Sequence, residues 1–228
     1  SNQDKEKILG YDMNFLTDEL SVASCLNKIP PEILNCTKRP TKKQVLQILM
    51  TVFDPIGFIQ FFTAKLKLIY HRMCKDSLSW EEEVDDDNFI SWKKCMAWII
   101  DIQNIKIPRV YCRHNFEVDK IQCWAFGDAS ADIMCGTTYA RFLNKNKEQI
   151  NVSLIYAKTF VVPYRQTRTI PELELSAALK VSKMTETVKN HHALKFDQFF
   201  FGTDNQAVRE WIVNGVKKPT IYVKNRID

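Results

Sequence analysis

IQCWAFGDAS, residues 121–130, decides the fold, because an apolar run rich in β-branched and aromatic residues leads directly into an aspartate. Such a run favours a β-strand. Residues 133–141, residues 151–158 (NVSLIYAK) and residues 197–203 (FDQFFFG) have the same character. We therefore predict four strands, of which the first three form a meander. Residues 199–201 are all phenylalanine, which predicts a strand buried on both faces or partly covered by an interface.

Two helices are predicted among and after these strands. The first follows Pro171, which suits the first helical position, and its apolar positions continue to about Val188. The second runs from about Asn205 to Val213, with Gly215 just past its end. With a final strand after it, the predicted order is three strands, helix, strand, helix, strand, which is typical of a mixed α/β domain.

The N-terminal half has a different pattern. Residues 1–40 are irregular, with a strand pair predicted around residues 7–11 and 20–23. Residues 41–107 show helical periodicity. They predict three helices, which begin at a capping box formed by Thr41 and Gln44, at about Phe58, and near Asp87 or Asn88.

The composition is that of an ordinary globular protein, with 45% apolar and 26% charged residues. No apolar run reaches the roughly 20 residues that a membrane span needs, and the chain opens without a signal peptide. Seven scattered cysteines form no CxxC pair, so a zinc site is not predicted. Free thiols are typical of a reducing compartment, and we expect an intracellular, cytoplasmic or nuclear, location.

The charge distribution is uneven although the net charge is only +5. Residues 38–75 hold eight basic residues and one acid, Asp54, and residues 81–87 are then strongly acidic. A basic segment attracts a phosphate backbone, although a solvated helix face has the same composition. The acidic run precedes the third predicted helix, where it favours the positive helix end.

Three acids stand where elements of the predicted α/β domain begin or end. Asp128 ends the first strand, Glu174 lies in the first turn of the long helix, and Asp204 ends the fourth strand. Ligands of open α/β sheets gather beyond strand ends. If the first and fourth strands are parallel neighbours, the two aspartates emerge side by side, and the helix can place the glutamate between them.

A cluster of carboxylates is costly unless cations offset the repulsion. Hard oxygen ligands suit Mg²⁺ or Mn²⁺. Two such ions, roughly 3.5–4 Å apart, clamp a phosphodiester for attack by water. The three acids therefore predict a site for two divalent ions.

Each acid also has an ordinary explanation. Asp128 can be a turn residue, Glu174 an exposed helix charge and Asp204 a helix N-cap. Glu172 competes with Glu174 as the inward-facing acid, and Asp132 is a weaker alternative just beyond the first strand. Spacing alone leaves these alternatives open.

Several segments resemble known motifs. Residues 126–139 resemble the first motif of retroelement ribonuclease H, and residues 173–178 (LELSAA) resemble the second. Residues 203–206 (TDNQ) resemble the third, with Asn205 in place of the usual serine. The segment between the first two motifs is similar to the Pol protein of BEL/Pao-type LTR retrotransposons. It runs from Ala157-Lys158 to residues 169–175 (TIPELEL), in which Glu172 replaces a usual arginine.

The N-terminal part extends this resemblance over nearly the whole chain. Residues 8–11 with residues 18–20 are similar to the end of that family's reverse-transcriptase palm, and residues 40–43 followed by residues 53–57 (FDPIG) are similar to its thumb and connection region. The resemblance implies a palm-like segment (1–40), a helical thumb/connection-like region (41–115) and a C-terminally incomplete ribonuclease H-like domain (116–228). Its fold would be a mixed α/β sheet with flanking helices.

The resemblance also implies an activity, which is metal-dependent hydrolysis of the RNA strand of an RNA–DNA hybrid. Asp128 would contact both Mg²⁺ (or Mn²⁺) ions, and Glu174 and Asp204 would each help to hold one. The hybrid is expected to be recognised by its shape and 2′-hydroxyls. Its backbone would be followed by four thumb lysines: Lys42, Lys43, Lys65 and Lys67.

One departure from the family pattern favours an alternative. The family's fourth acid lies on a helix beyond Asn225-Arg226, whereas this sequence stops at Asp228. No Tyr-x-Asp-Asp motif is present, so polymerase activity is not expected of this piece. The alternative is a domesticated or truncated ribonuclease H-fold module, catalytically silent, that binds nucleic acid, a protein partner or a second copy of itself.

Overall fold

The chain divides into two units, Ser1–Val110 and Tyr111–Asp228. A computed structural model describes residues 5–23, 26–112, 116–146, 150–165 and 168–227. Within these residues, no helix combines the length and the apolar character that crossing a membrane requires.

The first unit contains a small antiparallel sheet with the strand order β1-β2-β3-β4. Its strands are β1 (Lys5–Ile8), β2 (Tyr11–Asn14), β3 (Glu19–Val22) and β4 (Ile107–Pro108). Residues 7–11 were expected to form one strand. The chain instead reverses at Leu9 and Gly10, whose φ angles are 47° and 86°, so a second strand starts at Tyr11.

The described part of the first unit also contains a short 3-10 helix (Leu26–Lys28) and the helices α1 (Pro31–Leu34), α2 (Lys42–Thr51), α3 (Gln60–Lys75) and α4 (Asp86–Asn104). The predicted capping box at Thr41 is confirmed, since its hydroxyl accepts the Gln44 N–H at 3.4 Å and its own N–H reaches Gln44 Oε1 at 2.9 Å. Asp85 is the N-cap of helix α4, and its side chain accepts the Asn88 N–H at 2.7 Å. Phe62 and Trp92 are fully buried in the core between these helices.

The second unit is built on a mixed sheet with the strand order β7-β6-β5-β8. Its strands are β5 (Lys120–Ala129), β6 (Ile133–Leu143), β7 (Ile150–Val161) and β8 (Gln198–Gly202). The first three strands form the predicted antiparallel meander. Strands β5 and β8 are parallel neighbours, which is the arrangement that the position of the acids required.

Helix α5 (Ile170–His191) packs across this sheet. Its inward residues recur every three or four positions, as expected of a helix with one buried stripe. They are Leu173, Ala177, Val181, Met184 and Val188. Two shorter helices follow β8, namely α6 (Gln206–Asn214) and α7 (Ile221–Ile227). The second unit therefore has the mixed α/β fold, with flanking helices, that the sequence predicted.

One expectation about the second unit was wrong, and of the two alternatives for β8 only coverage by an interface stays a prediction. The final strand is absent, because residues 221–227 form α7. Thr220 Oγ1 accepts the Val223 N–H at 3.3 Å, and Val223 packs with Leu175 and Val208. The run of three phenylalanines in β8 is not buried on both faces, since Phe201 is 58% exposed.

Candidate metal centre

Strands β5 and β8 bring Asp128 and Asp204 to the same edge of the sheet. The last parallel pair in their register is Phe126 with Gly202. Asp128 follows Phe126 by two residues, and Asp204 follows Gly202 by two residues. Because the strands run in the same direction, the two carboxylates leave the sheet side by side.

Helix α5 supplies the third carboxylate. Glu174 is only 5% exposed. One carboxylate oxygen from each of Asp128, Glu174 and Asp204 lies within 4.8 Å of the other two. Asp128 and Asp204 are exposed, so the cluster has a closed side at the glutamate and an open side at the aspartates.

The competing acids lie elsewhere. Glu172 belongs to the capping box of α5, where its Oε2 accepts the Thr169 N–H at 3.0 Å and the Thr169 hydroxyl at 3.1 Å. Asp132 is exposed, and its backbone carbonyl accepts the Val162 N–H at 2.9 Å. Glu174 is therefore the inward-facing acid of α5.

The ordinary explanations for the three acids do not hold in this fold. Asp128 is paired with Cys135 inside the β5–β6 ladder and is not in a turn. Asp204 is not the N-cap of α6, because Asn205 fills that position and accepts the Val208 N–H at 3.1 Å. Glu174 is buried, so it is not an exposed helix charge.

The electrostatics of Glu174 reflect its surroundings. Burial is the main reason that its pKa is raised from 4.5 to about 7. The negative charges of Asp128 and Asp204 raise the pKa further, and a hydrogen bond from the Ala129 N–H opposes the shift. Its Oε2 atom is buried without a hydrogen-bond partner among the described residues.

A divalent cation fits this donor set. It would offset the repulsion between the three carboxylates and would give the buried Oε2 of Glu174 a partner. Hard oxygen donors of this kind suit Mg²⁺ or Mn²⁺.

Cys135 is a neighbour of the cluster that the sequence reasoning missed. It lies directly opposite Asp128 in the β5–β6 register. Burial, with the charges of Asp128 and Glu174, raises the pKa of its thiol, so the thiol stays protonated at neutral pH. Only the strand register, which spacing along the chain does not give, could have placed it here.

The four lysines singled out in the sequence lie on α2 and α3 of the first unit. Lys42 Nζ donates to the Leu78 carbonyl at 2.7 Å, and Lys43 Nζ lies 3.8 Å from Glu81 Oε1. Lys67 Nζ donates to Gln60 Oε1 at 3.4 Å, while Lys65 is exposed. Their part in nucleic-acid binding stays a prediction.

A mixed sheet whose parallel strand pair leads into two aspartates, with a helix packed across it that supplies a buried glutamate, is typical of the ribonuclease H-like fold class. The chain belongs to the family described as Pao retrotransposon-like RNaseH-like domain, whose model matches residues 41–205. The matched region includes Asp128, Glu174 and Asp204. The resemblance to a retrotransposon protein of the Pao type is thereby confirmed over residues 41–205.

The solved structures that are similar to this chain include two foamy viral proteins. One is the foamy viral protease-reverse transcriptase dRH in complex with ds DNA, with 12% identity, 98% of this chain and 35% of that chain covered, and a TM-score of 0.48. The other is the foamy viral protease-reverse transcriptase in complex with dsDNA, with 11% identity, 99% and 43% covered, and a TM-score of 0.23. The chain thus spans less than half the length of either neighbour. Because both TM-scores are below 0.5, neither adds to the fold assignment. No curated protein matches the chain.

Proposed function

We propose that this chain carries a metal-dependent endonuclease site that hydrolyses the RNA strand of RNA–DNA hybrids. The observation that carries the proposal is the cluster of Asp128, Glu174 and Asp204, with a buried glutamate oxygen that has no protein partner among the described residues. Three converging carboxylates repel one another in a protein that binds no cation, whereas in a protein that binds cations they serve as ligands.

The roles follow the geometry and the family resemblance. When bound, two divalent ions supply the positive charge that activates a water molecule and stabilises the phosphodiester under attack. Asp128, in β5, would help to hold both ions, and Glu174 and Asp204 would each help to hold one. Burial fixes the side chain of Glu174, and the strand register fixes the spacing of the two aspartates.

The substrate class is inferred from the family. Retrotransposon ribonuclease H-like domains belong to elements that copy RNA into DNA, and the two similar foamy viral enzymes are described in complex with double-stranded DNA. The resemblance of the N-terminal sequence motifs supports a palm-like segment in residues 1–40 and a thumb/connection-like region in residues 41–115. Lys42, Lys43, Lys65 and Lys67 of that region would contact the hybrid backbone.

The test is cleavage of a labelled RNA–DNA hybrid in Mg²⁺ and in Mn²⁺, with Asp128→Asn beside the wild-type chain. Asp132→Asn is the matched control, because Asp132 is exposed and lies outside the cluster. We expect cleavage of the RNA strand by the wild-type chain and by D132N, and none by D128N. Binding of the hybrid without cleavage at any metal concentration would replace the endonuclease with the catalytically silent binding module.

A further inference from the structure

Two lysines of the second unit share one aromatic ring. Lys180 Nζ of α5 lies 4.2 Å from the centroid of Phe160 in β7, and Lys158 Nζ lies 5.6 Å from the same centroid. Phe160 packs against Met134 and Leu173. The ring is therefore held in place, and it fixes both ammonium groups near each other.

Both lysines belong to the side of the sheet that α5 covers. Lys158 is paired with Gly136 in the β6–β7 register, and a Cβ built on Gly136 would point at Val181 of α5. Residues paired across a sheet face the same side. Lys158 is exposed and Lys180 is half-buried, and both ammonium groups lie near Phe160 of the edge strand β7.

No carboxylate of the described residues neutralises this group of cations. The ion pairs found in the described ranges are Arg39–Asp86, Lys43–Glu81 and Arg109–Asp18, all of which belong to the first unit. The surroundings of Lys180 are instead basic. Burial lowers its pKa, and the charges of Lys183, Arg226 and Lys158 lower it further. Positive groups gathered in this way are stabilised by a bound anion.

A second pair of cations extends the basic surface around α5. The guanidinium carbons of Arg226 and Arg168 lie 3.4 Å and 4.1 Å from the ring centroid of Tyr222 in α7. Arg226 Nε also donates to Ser176 Oγ at 2.9 Å, which ties α7 to α5. The cations thus lie on elements that surround the first half of α5, where the carboxylate cluster also lies.

The distance from the carboxylate cluster suits a nucleic-acid strand. Lys180 follows Glu174 by six residues, which is about 9 Å along a helix axis. One strand of a duplex carries a negative charge about every 3.4 Å along its axis. A strand that runs along α5 from the three carboxylates would place a phosphate, about three nucleotides away, at the level of the two lysines.

We propose that Lys158 and Lys180, held on the Phe160 ring, form a phosphate-binding site for one strand of the nucleic-acid substrate, with Arg168 and Arg226 extending it along α5. This inference rests on the proposed function, since it takes the substrate to be a nucleic acid. It assigns phosphate binding to residues of the second unit, in addition to the four lysines proposed in the first unit.

The test is equilibrium binding of a labelled RNA–DNA hybrid to the full chain in EDTA, which prevents cleavage, at a series of salt concentrations. The variant is Lys158→Ala with Lys180→Ala. The matched control is Lys145→Ala with Lys195→Ala, which removes the same charge from two exposed positions of the second unit. Thermal melting of each variant checks that the fold is kept.

We expect K158A/K180A to bind about tenfold more weakly than wild type at moderate salt, and the slope of log affinity against log salt to fall by about two. The control should change both quantities much less. Lys158→Arg with Lys180→Arg should restore the slope, because the charges are kept. Equal affinity and slope for K158A/K180A and the control would overturn the proposal.

The result of this binding test does not depend on whether the chain cleaves the hybrid. One outcome is that the wild-type chain cleaves the hybrid while D128N does not. If K158A/K180A then has the same slope of log affinity against log salt as wild type, only the proposed phosphate site is wrong. If the lysines change the slope and no cleavage occurs, the binding site stands and the catalytic proposal fails.

Discussion

Gly127 of β5 lies directly opposite Gly136 of β6, and helix α5 crosses the sheet over this pair. A Cβ on Gly127 would lie 3.2 Å from the backbone of Ala177. Asp128 follows Gly127, and Glu174 lies one helical turn before Ala177. The close approach that the two glycines permit therefore sets how near Glu174 comes to Asp128.

Replacing Gly136 should loosen this contact. A Cβ at that position would lie 2.7 Å from Val181 Cγ2 and 3.0 Å from Met184 Sδ, and the Val181 side chain is stiff on a helix. We expect Gly136→Ala to lower the free energy of unfolding by about 1–3 kcal/mol. Denaturant titration measures this loss. Thr137→Ala, in the same strand, is the control for a general effect on β6.

A compensating substitution distinguishes steric displacement of α5 from a loss of strand flexibility. Val181→Ala opens space above Gly136, so the G136A/V181A double variant should lose less stability than the two single variants together. Additive losses would mean that the helix does not rest on the glycine pair.

Metal-free protein should become less stable as the pH rises through the range in which Glu174 ionises. Its pKa is about 7 in the folded chain, mainly because of burial, against 4.5 for an ordinary glutamate. The folded state therefore binds the proton more tightly. The resulting stabilisation is complete below about pH 4.5 and is lost as the pH rises through about 7, amounting to roughly 3 kcal/mol at most.

Comparing wild type with Glu174→Gln in EDTA isolates this contribution. The difference in Tm between the two proteins should shift in favour of E174Q between pH 5 and pH 7.5, and Mg²⁺ should restore the wild-type protein at the higher pH. A Tm difference that stays constant over this range would contradict the effect of burial on Glu174.

Divalent ions should bind through all three carboxylates. We expect Asp204→Asn to weaken Mn²⁺ binding by at least about tenfold, because a charged ligand is removed from the cluster. Calorimetric titration with Mn²⁺ alone measures the affinity, and the rise in Tm with Mn²⁺ gives an independent value. Asp132→Asn should leave both unchanged, and equal Mn²⁺ affinity in D204N and wild type would place the ion elsewhere.

The elements and the acids could be predicted from the sequence, but their contacts could not. Hydrophobic periodicity located β5 and α5, and Asp128 and Glu174 followed from their positions at the ends of these elements. The choice between Glu172 and Glu174 required the capping box at Thr169, whose geometry depends on where α5 begins. A final strand was predicted after α6, but residues 221–227 are helical and pack through Val223 against Leu175 and Val208.

The lysine pair shows a second limit of sequence reasoning. Lys158 and Lys180 are 22 residues apart on a strand and a helix, so their charges form no run along the chain. The visible basic run at residues 38–75 is partly neutralised by the acidic run, through Lys43 with Glu81 and Arg39 with Asp86. Charge density along the sequence therefore does not show which cations lack a protein partner.

His192 should make the second unit less stable in mild acid. Its Nδ1 accepts the Leu194 N–H at 3.1 Å, so in the neutral ring Nε2 carries the proton and donates to Tyr111 Oη at 3.1 Å. Burial lowers the pKa of this imidazole. A lowered pKa means that the unfolded chain takes up the proton first, so stability is lost as the pH falls below about 6.5.

Urea titrations of His192→Gln and wild type between pH 7.5 and pH 5 measure this loss, with His191→Gln, at an exposed position, as the matched control. The wild-type chain and H191Q should lose stability over this interval more steeply than H192Q, and identical slopes for all three would show that His192 does not couple protonation to folding.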